Sequence, residues 1–420
     1  MGGEQRKRGV SPSSEGLKLI EKAMNDRCWN AQGVANAVSS DGSLNHSLDE
    51  KTVLRFLGKD PKNPRVDKKT AQLICKVLDL KYEQVIDEPA KPGQLETDKP
   101  NPFSYGVPVT ADRFHGRKLI ISEIKGKIGA ETPQCVNIIG FRNSGKSSIL
   151  KYIQDRPYDF FIESQKPIVI YLDLQDKRFH SPFGIMRGIK KEISDSIIVK
   201  SWLNQIDEGD EFFDAGLCEV NRNGHRLIIL LDKIERIKSE NEEFQNWVSG
   251  WDVKISNGSL TLVLASQRPI EESASGIGIP SHIHDKFHGV HIGLLTSEEW
   301  QHFTDQNLGF LSPELVHYVD STSGGWAFYT QMALSIYRDS QDFDSAIREF
   351  RFQAEKSFSR LWDDLKDEEK LIVKSVIFRE EFPMNTTAER MIRLGLLKSD
   401  RSIFSDLFSE FVRERTSSNK

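Results

Sequence analysis

The sequence predicts an α/β domain whose parallel β-sheet carries helices on both faces, placed between a small helical unit and a helical C-terminal region. Five short apolar segments alternate with longer amphipathic ones, which is the pattern of buried parallel strands joined by helices. The predicted strands cover residues 135–139, 168–172, 227–231, 260–265 and 290–295. From residue 297 onward the strand pattern stops and helical periodicity dominates.

Composition excludes several classes of protein. The 420 residues exceed one ordinary domain, so two or three domains are expected. The 57 basic and 62 acidic residues leave a net charge of −5, unlike a histone-like binder or an acidic tail protein. The longest aliphatic run, residues 227–231, is far shorter than the roughly 20 residues of a membrane span. The sequence shows no signal-peptide pattern and no cysteine spacing typical of disulfides or zinc, so we expect a cytoplasmic protein without membrane contact.

A phosphate-binding loop follows the first predicted strand. Residues 140–147, Gly-Phe-Arg-Asn-Ser-Gly-Lys-Ser, match G-x-x-x-x-G-K-[ST] at every fixed position. Glycines let the backbone wrap around phosphates, and successive N–H groups at the start of the next helix attract the anion. We predict that Lys146 bridges the β- and γ-phosphates and that Ser147 ligates Mg²⁺. The alternative, a Gly-Ser surface turn, does not explain its place between an apolar strand and a helix. The predicted nucleotide contacts here are Gly140, Asn143, Ser144, Gly145, Lys146, Ser147 and Ser148.

Magnesium needs a second acidic group, and Asp232 supplies it at the end of the third apolar strand. The next residue is Lys233, so the nearest carboxylate that follows is Glu235. Either Glu235 is the catalytic base, or hydrolysis is slow and the nucleotide acts as a switch; a solvated residue is the alternative for Glu235. After the fourth strand, Ser266 or Arg268 is expected to sense the γ-phosphate, unless Arg268 is an exposed loop residue. The guanine signature Asn-Lys-x-Asp does not follow the loop, so we expect ATP rather than GTP.

These motifs resemble those of AAA-like ATPases of the STAND group, which belong to the ASCE class of P-loop NTPases. Residues 101–109 (Asn-Pro-Phe-Ser-Tyr-Gly-Val-Pro-Val) and 114–117 (Phe-His-Gly-Arg) look like that family's entry segment. The resemblance continues through the phosphate loop and reaches residues 323–328 (Ser-Gly-Gly-Trp-Ala-Phe), similar to the family's lid motif. It implies a parallel sheet of order 5-1-4-3-2 and bound ATP and Mg²⁺. It also implies that Phe114, Gly116 and Arg117 lie near the base and ribose.

The sequence departs from this family at two places. Where Lys233 stands, the family usually has a glutamate that polarises the attacking water, so the substitution affects the rate of ATP hydrolysis. Trp326 and Ala327 replace the His-Pro of the lid motif, which bears on the contact between lid and nucleotide. The family's lid is commonly followed by a winged helix, and residues 367–378 and 386–394 read as helices that precede a tight turn at 398–401.

The predicted organisation therefore has six parts. Five prolines and two glycines between residues 87 and 109 indicate a linker. The parts are a disordered tail (1–14), a helix-turn-helix-like helical domain (15–87), the linker (88–104), the P-loop ATPase core (105–296), a helical lid (297–345) and a winged-helix-like domain (346–420).

Residues 15–87 resemble the small helix-turn-helix units at the N-terminus of STAND and conflict-system proteins, with helices predicted at 30–38, 48–57 and 70–80. Between residues 51 and 69 seven basic residues accompany two acidic ones, which would attract a phosphate backbone. Lys51 and Arg55 lie one helical turn apart and would suit a major groove. The long connector 39–47 and the acidic Asp49 and Glu50 favour a protein-binding role instead.

The sequence thus predicts an ATP-binding STAND- or AAA-like switch with slow or weak hydrolysis, which regulates an unidentified protein partner through residues 15–87. The alternative is a DNA-binding ATPase, either a helper of transposition or replication or a transcriptional regulator. By the same resemblance, ADP is a second ligand and the chain forms homo-oligomers that depend on the nucleotide.

Overall fold

The structure is a computed structural model that describes residues 12–40, 48–57, 59, 66–86, 100–193, 210–237, 242–273, 280–309 and 311–417. The chain divides into two compact units, Met1–Gln94 and Leu95–Lys420. Most of the predicted tail, residues 88–99 of the predicted linker and the basic residues Lys62 and Arg65 lie outside the described residues.

The described part of the first unit is helical, and short polar side chains set where its helices begin. The Ser13 hydroxyl and the carboxylates of Asp49 and Asp67 each accept a hydrogen bond from a main-chain N–H in the first turn, which satisfies an otherwise unpaired donor. The helices are α1 (Ser14–Asp26), α2 (Ala31–Ser40), α3 (Glu50–Phe56), α4 (Lys68–Val77) and α5 (Tyr82–Val85). Their apolar faces meet in one core around Ile20, Val34, Val53, Phe56 and Ile74.

The second unit contains a parallel five-stranded sheet. Its strands are β1 (Cys135–Ile139), β2 (Pro167–Asp173), β3 (Arg226–Asp232), β4 (Leu260–Ser266) and β5 (Phe287–His291). Their order is β2-β3-β4-β1-β5, which confirms the predicted order 5-1-4-3-2 read from the other edge. The central strands β3 and β4 are buried along almost their whole length because both of their faces are covered.

Helices cover both faces of this sheet. The helices are α6 (Lys118–Ile128), α7 (Lys146–Asp155), α8 (Pro182–Ile193), α9 (Asp210–Arg222), α10 (Glu242–Ser249), α11 (Trp251–Ser256) and α12 (Ser281–His284). One face of the sheet packs on α6 and α7 through residues such as Ile124 and Leu150, and the other packs on α8 and α10 through Ile185 and Phe244. The phosphate-binding loop lies at the carboxyl edge of the sheet because it follows the end of β1 and leads into α7.

The position predicted for the fifth strand, residues 290–295, is wrong by about three residues. The strand runs from Phe287 to His291 at the edge of the sheet, where polar side chains are tolerated. Leu294 and Leu295 instead pack against the core of the C-terminal helices, and the Leu295 N–H donates to the Gly325 carbonyl at 2.7 Å. Leu294 and Leu295 are therefore apolar because they pack on those helices, and not because they pair in the sheet.

The C-terminal region is helical and shares one hydrophobic core. Its helices are α13 (Ser297–Leu308), α14 (Pro313–Thr322), α15 (Ala327–Ser340), α16 (Phe343–Asp364), α17 (Asp367–Phe378), α18 (Thr386–Arg393) and α19 (Asp406–Ser417). A single antiparallel bridge, Leu397 with Ile403, closes the turn predicted at 398–401. The boundary predicted at 345–346 lies inside α16, and the core is continuous across it. Within the described ranges, every helix is too short or too polar to cross a membrane.

Candidate functional site

The phosphate-binding loop joins β1 to α7 and turns tightly around the Ser144 hydroxyl. Asn143 and Gly145 have left-handed backbone conformations, with φ of 63° and 104°. A Cβ at Gly140 would lie 2.4 Å from Ser144 Oγ, so a larger residue there would displace the Ser144 hydroxyl. The hydroxyl of Ser144 is buried and finds no hydrogen-bond partner among the described residues. The loop thus surrounds a polar atom that the protein itself leaves unsatisfied.

Lys146 begins α7, and its ammonium group is folded onto the loop. Its Nζ donates to the carbonyl oxygens of Gly140 and Phe141 at 2.7 and 2.8 Å. Burial lowers the pKa of Lys146 to about 8, against the opposing influence of Glu235 and Asp232. An ammonium group held by two neutral carbonyls would be bound more strongly by an anion.

Asp232 is fully buried at the end of β3. Its Oδ2 accepts a 2.8 Å hydrogen bond from the hydroxyl of Tyr171 on the neighbouring strand β2. Burial, together with the charge of Asp232, raises the pKa of Tyr171, so its hydroxyl stays protonated and donates. Oδ1 of Asp232 is buried without a partner in the part of the chain that is described. An anionic oxygen in this situation suits a cation, because carboxylate oxygens are the ligands that Mg²⁺ prefers.

Lys233, at the position where the resembled family has glutamate, points toward β2. Its backbone is left-handed, with φ of 60°. Its Nζ donates to Asp173 Oδ2 at 2.7 Å and to Gln175 Oε1 at 2.8 Å. Asp173 is opposite Asp232 in the register of β2 and β3, so the ion pair between Lys233 and Asp173 links the ends of these two strands.

Glu235 lies in a short 3-10 turn, Ile234–Arg236, that follows β3. Its Oε1 accepts a 3.1 Å hydrogen bond from the Gln267 amide, and its Oε2 is buried with no partner in the described chain. Of the nearby carboxylates, Glu235 has the strongest influence on Lys146. Glu235 is not among the described residues that line the cavity beside the loop, so its role as the base stays a prediction.

A cavity of about 280 Å³ extends from the loop toward the C-terminal helices. Phe114 lines it and stacks on Tyr152, with ring centroids 4.7 Å apart. His115 lies against Phe303 at 4.8 Å. Further lining residues are Val107, Val109, Leu295, Phe328 and Gln331, in addition to residues 143–149 of the loop and α7. An apolar, aromatic pocket beside a phosphate site suits a planar base.

Arg117 connects this pocket to the loop, and Gly116 before it lies against Glu299 and Leu295. Gly116 and Arg117 have positive φ, 73° and 61°. The Arg117 guanidinium donates to the carbonyls of Leu294 at 3.0 Å and Ser144 at 3.3 Å, and its main-chain N–H donates to Glu299. Burial lowers the pKa of Arg117 to about 10, with Glu299 opposing the shift. Arg117 therefore holds the back of the phosphate loop while it lines the cavity.

Trp326 joins the C-terminal helices to the phosphate loop. Its Nε1–H donates to the Asn143 carbonyl at 3.2 Å, and its ring lies over Phe141 with centroids 6.2 Å apart. Gly325, the residue before it, has a φ of 87° and approaches Leu295 so closely that a Cβ would lie 2.5 Å from the Leu295 carbonyl oxygen. The segment that resembles a lid motif is thus in direct contact with the loop through the tryptophan.

Arg268 is bound by α17. Its Nη1 and Nη2 donate to the two carboxylate oxygens of Glu369 at 2.8 and 2.7 Å, and Nη2 also donates to the Asp364 carbonyl. Burial alone would raise the pKa of Glu369, but the hydrogen bonds from Arg268 lower it below its usual value. Ser266 is buried with its hydroxyl 2.9 Å from Asn137 Oδ1. Neither Ser266 nor Arg268 belongs to the described lining of the cavity, so their roles as γ-phosphate sensors stay predictions.

Tyr171 is the functional candidate that sequence motifs do not mark. The only local signal is its place in β2, where Val169, Tyr171 and Asp173 alternate onto one face of an otherwise aliphatic strand. Its partner Asp232 is 61 residues away, so the contact follows from the strand order alone.

Comparison with solved structures found several that are similar to this chain. No family model and no curated protein matches the sequence. The chain is similar to a Walker-type ATPase of Pyrococcus abyssi, with a TM-score of 0.50 and 12% identity over 74% of this chain and 99% of that one. It is also similar to the ORC2 protein of Aeropyrum pernix in ADPNP–ADP complexes, with a TM-score of 0.42 and 12% identity over 77% and 100% of the two chains. A RuvB variant of Thermotoga maritima gives a TM-score of 0.35 and 13% identity over 72% and 90%. The sheet order and the first of these likenesses establish an ASCE-type P-loop NTPase fold.

Proposed function

We propose that this chain binds Mg·ATP and acts as a STAND- or AAA-like nucleotide switch with slow or weak hydrolysis. The observation that supports it is a set of three buried polar atoms around one loop, Ser144 Oγ, Asp232 Oδ1 and Glu235 Oε2, which have no partner within the described structure. Buried polar atoms are nearly always hydrogen-bonded in folded proteins. Three exceptions beside a loop with phosphate-binding sequence fit a ligand that supplies both an anion and a cation.

Different groups at the site suit the phosphates and the metal ion. The main-chain N–H groups of residues 140–147 and the Lys146 ammonium group suit phosphate oxygens, and the ammonium would exchange its two carbonyl partners for them. Ser147 and Asp232 would hold Mg²⁺, which when bound neutralises phosphate charge and orients the terminal phosphoryl group. The cavity beside Phe114 would take the base, and Arg117, which also lines it, would lie near the ribose. The same role for Gly116 is proposed on the STAND resemblance.

Slow hydrolysis is proposed because the position after Asp232 carries a cation. Lys233 is held by Asp173 and Gln175 and can neither accept a proton from water nor orient it as a carboxylate does. Glu235 is the remaining candidate base, with one oxygen held by Gln267 and the other free to act. A base placed one turn further along the chain would support weak turnover, which suits a switch.

The switch would operate through contacts that the loop shares with the C-terminal helices. Trp326 donates to the loop itself, so a nucleotide that changes the Asn143 backbone changes the free energy of this contact. Transmission to a protein partner through residues 15–87, and nucleotide-dependent homo-oligomerisation, are proposed on the STAND resemblance. Sizing the purified chain with ATP, with ADP and without nucleotide tests the last of these.

The deciding experiment for the function is nucleotide binding by Lys146→Ala, measured by calorimetry with ATP and Mg²⁺. We expect ATP affinity to fall at least 100-fold, because the ammonium group that is folded onto the loop is removed. Lys151→Ala is the matched control, since Lys151 lies on the same helix and forms an exposed ion pair with Asp155. Equal ATP affinity of Lys146→Ala and the wild type would refute the site.

The second candidate function is a DNA-bound ATPase, and one observation favours it. Lys51, Lys59, Lys68 and Lys69 are all exposed in the first unit. Contacts to DNA phosphates would make binding of the full chain fall steeply with salt, by about one power of the salt concentration per phosphate neutralised. Lys51→Glu should then reduce that slope, whereas Lys125→Glu on the exposed side of α6 should not. DNA affinity that is flat from low to moderate salt would exclude this function.

A further inference from the structure

We propose that Tyr171 is a positioning residue that fixes the Asp232 carboxylate for a divalent cation. The inference rests on the proposed Mg·ATP function and adds a residue that no P-loop motif contains. The observation is a carboxylate whose two oxygens differ. Oδ2 accepts a 2.8 Å hydrogen bond from the Tyr171 hydroxyl, and Oδ1 is buried with no partner in the described chain.

The strand register explains how this contact forms. β2 and β3 are adjacent, with Tyr171 opposite Leu230 and Asp173 opposite Asp232. Side chains two residues apart on a strand share a face, so Tyr171 and Asp232 point to the same side of the sheet. That side is covered by α7, the helix that follows the phosphate loop. The tyrosine reaches diagonally across one strand to the carboxylate.

The contact limits what Asp232 can do. A carboxylate with one oxygen fixed by a donor can no longer rotate freely, so the other oxygen is presented in one direction. The donor also satisfies one half of a buried charge, which would otherwise have two oxygens without partners. Ser147 and the free Oδ1 are then the two oxygens that the chain offers to the cation.

Tyr171 acts on the site through Asp232. It is not among the described residues that line the cavity, and its hydroxyl donates to Asp232 Oδ2. Its ring packs with the apolar core between the sheet and α7. Tyr171→Phe keeps that ring and removes only the hydroxyl, which separates the hydrogen bond from the packing.

The test is ATP affinity as a function of Mg²⁺ concentration, with an EDTA arm that measures metal-free binding. Hydrogen bonds to metal-ligating groups are worth about 10- to 100-fold in metal affinity. We expect Tyr171→Phe to weaken Mg²⁺ binding to the protein–ATP complex about tenfold and to leave metal-free ATP affinity unchanged. The matched control is Tyr318→Phe, which removes a buried hydroxyl that donates to the Ala333 carbonyl among the C-terminal helices.

A double-variant comparison shows whether the effect passes through Asp232. Adding Tyr171→Phe to Asp232→Asn should change Mg²⁺ dependence no further, because the carboxylate that Tyr171 positions is already lost. An unchanged Mg²⁺ dependence in Tyr171→Phe overturns the proposal, and so does an equal loss with metal and with EDTA, which would indicate a packing role. If the wild type itself binds no ATP, the proposed function fails, and the role of Tyr171 fails with it.

Discussion

Two buried charged regions of the second unit differ in how their charges are matched. At the phosphate loop, Lys146 is held by carbonyls, and Asp232 keeps one carboxylate oxygen without a partner in the described structure. At the junction of the β4 loop with α17, Arg268 and Glu369 form a two-point ion pair, and the Glu369 side chain is completely buried. The first region has the charges of a binding site, and the second has those of a structural joint.

This difference separates two uses of buried charge. A paired charge whose hydrogen bonds are satisfied fixes one packing arrangement, and removing one partner strands the other. A buried charge that lacks its partner destabilises the empty protein and is retained for what it binds. Burial alone therefore does not mark a site, and neither does one unpartnered atom, since Arg390 Nε at the second region is also buried without a partner in the described chain. The indication at the loop is that three such atoms accompany a phosphate-binding sequence.

The largest expected effect is on stability, from Glu369→Ala. Removing this carboxylate leaves the largely buried Arg268 guanidinium with only the Asp364 carbonyl as a partner, which costs about 3 kcal/mol of unfolding free energy. Urea denaturation measures it. The control is Asp363→Ala, which breaks the exposed pair with Arg415 and should cost about 1 kcal/mol or less. Equal, small losses in the two variants would mean that the junction is no stronger than a surface contact.

Lys146 predicts a dependence of stability on pH. Its pKa in the folded chain is about 8, below its ordinary value of 10.5, so the unfolded chain binds more protons between these values. The free energy of unfolding should therefore rise as pH increases from about 8 to 10.5, by at most about 1.4 kcal/mol per pH unit. Denaturation of the wild type and of Lys146→Met across this range isolates the contribution of Lys146 to the free energy of unfolding, because the variant has no titrating group at this position. Parallel pH curves for the two proteins would show that burial does not perturb Lys146.

Local sequence patterns predicted the elements of the ATPase core and not the contacts between them. β1 to β4 were predictable because each is mostly apolar, with at most an isolated polar residue such as Asn137 or Thr261 inside it. The glycines and Lys146 of the loop were predictable because phosphate binding fixes their spacing. The fifth strand was misplaced because an edge strand tolerates polar residues. The pairing of Arg268 with Glu369 spans 101 residues, and no local pattern encodes a contact of that range. The predicted roles of the site residues stay predictions.

Lys233 lines the cavity beside the phosphate loop, and replacing it with glutamate should raise the rate of ATP hydrolysis. Lys233→Glu places a carboxylate directly after Asp232, where a base can orient water, and we expect phosphate release to increase about tenfold. That is below the usual gain of about 10²–10⁴ from a general base, since Asp173 would repel the new charge. Steady-state phosphate release measures it. Lys233→Gln is the control, because it breaks the same ion pair without adding a carboxylate. Equal acceleration in both variants would assign the effect to the lost pair.

The smallest expected effect concerns Trp326, the neutral contact between the loop and the C-terminal helices. Trp326→Phe keeps an aromatic ring near Phe141 and removes the Nε1–H that donates to the Asn143 carbonyl. One such hydrogen bond contributes about 0.5–1.5 kcal/mol, so the nucleotide-free chain should lose about 1 kcal/mol of unfolding free energy. If nucleotide binding changes the loop backbone, the loss should shrink with saturating Mg·ATP, because the bound form then depends less on this contact. Trp300→Phe, in the same core, controls for the smaller ring. A loss that is identical with and without Mg·ATP would make Trp326 a packing residue of the C-terminal core and remove it from the switch.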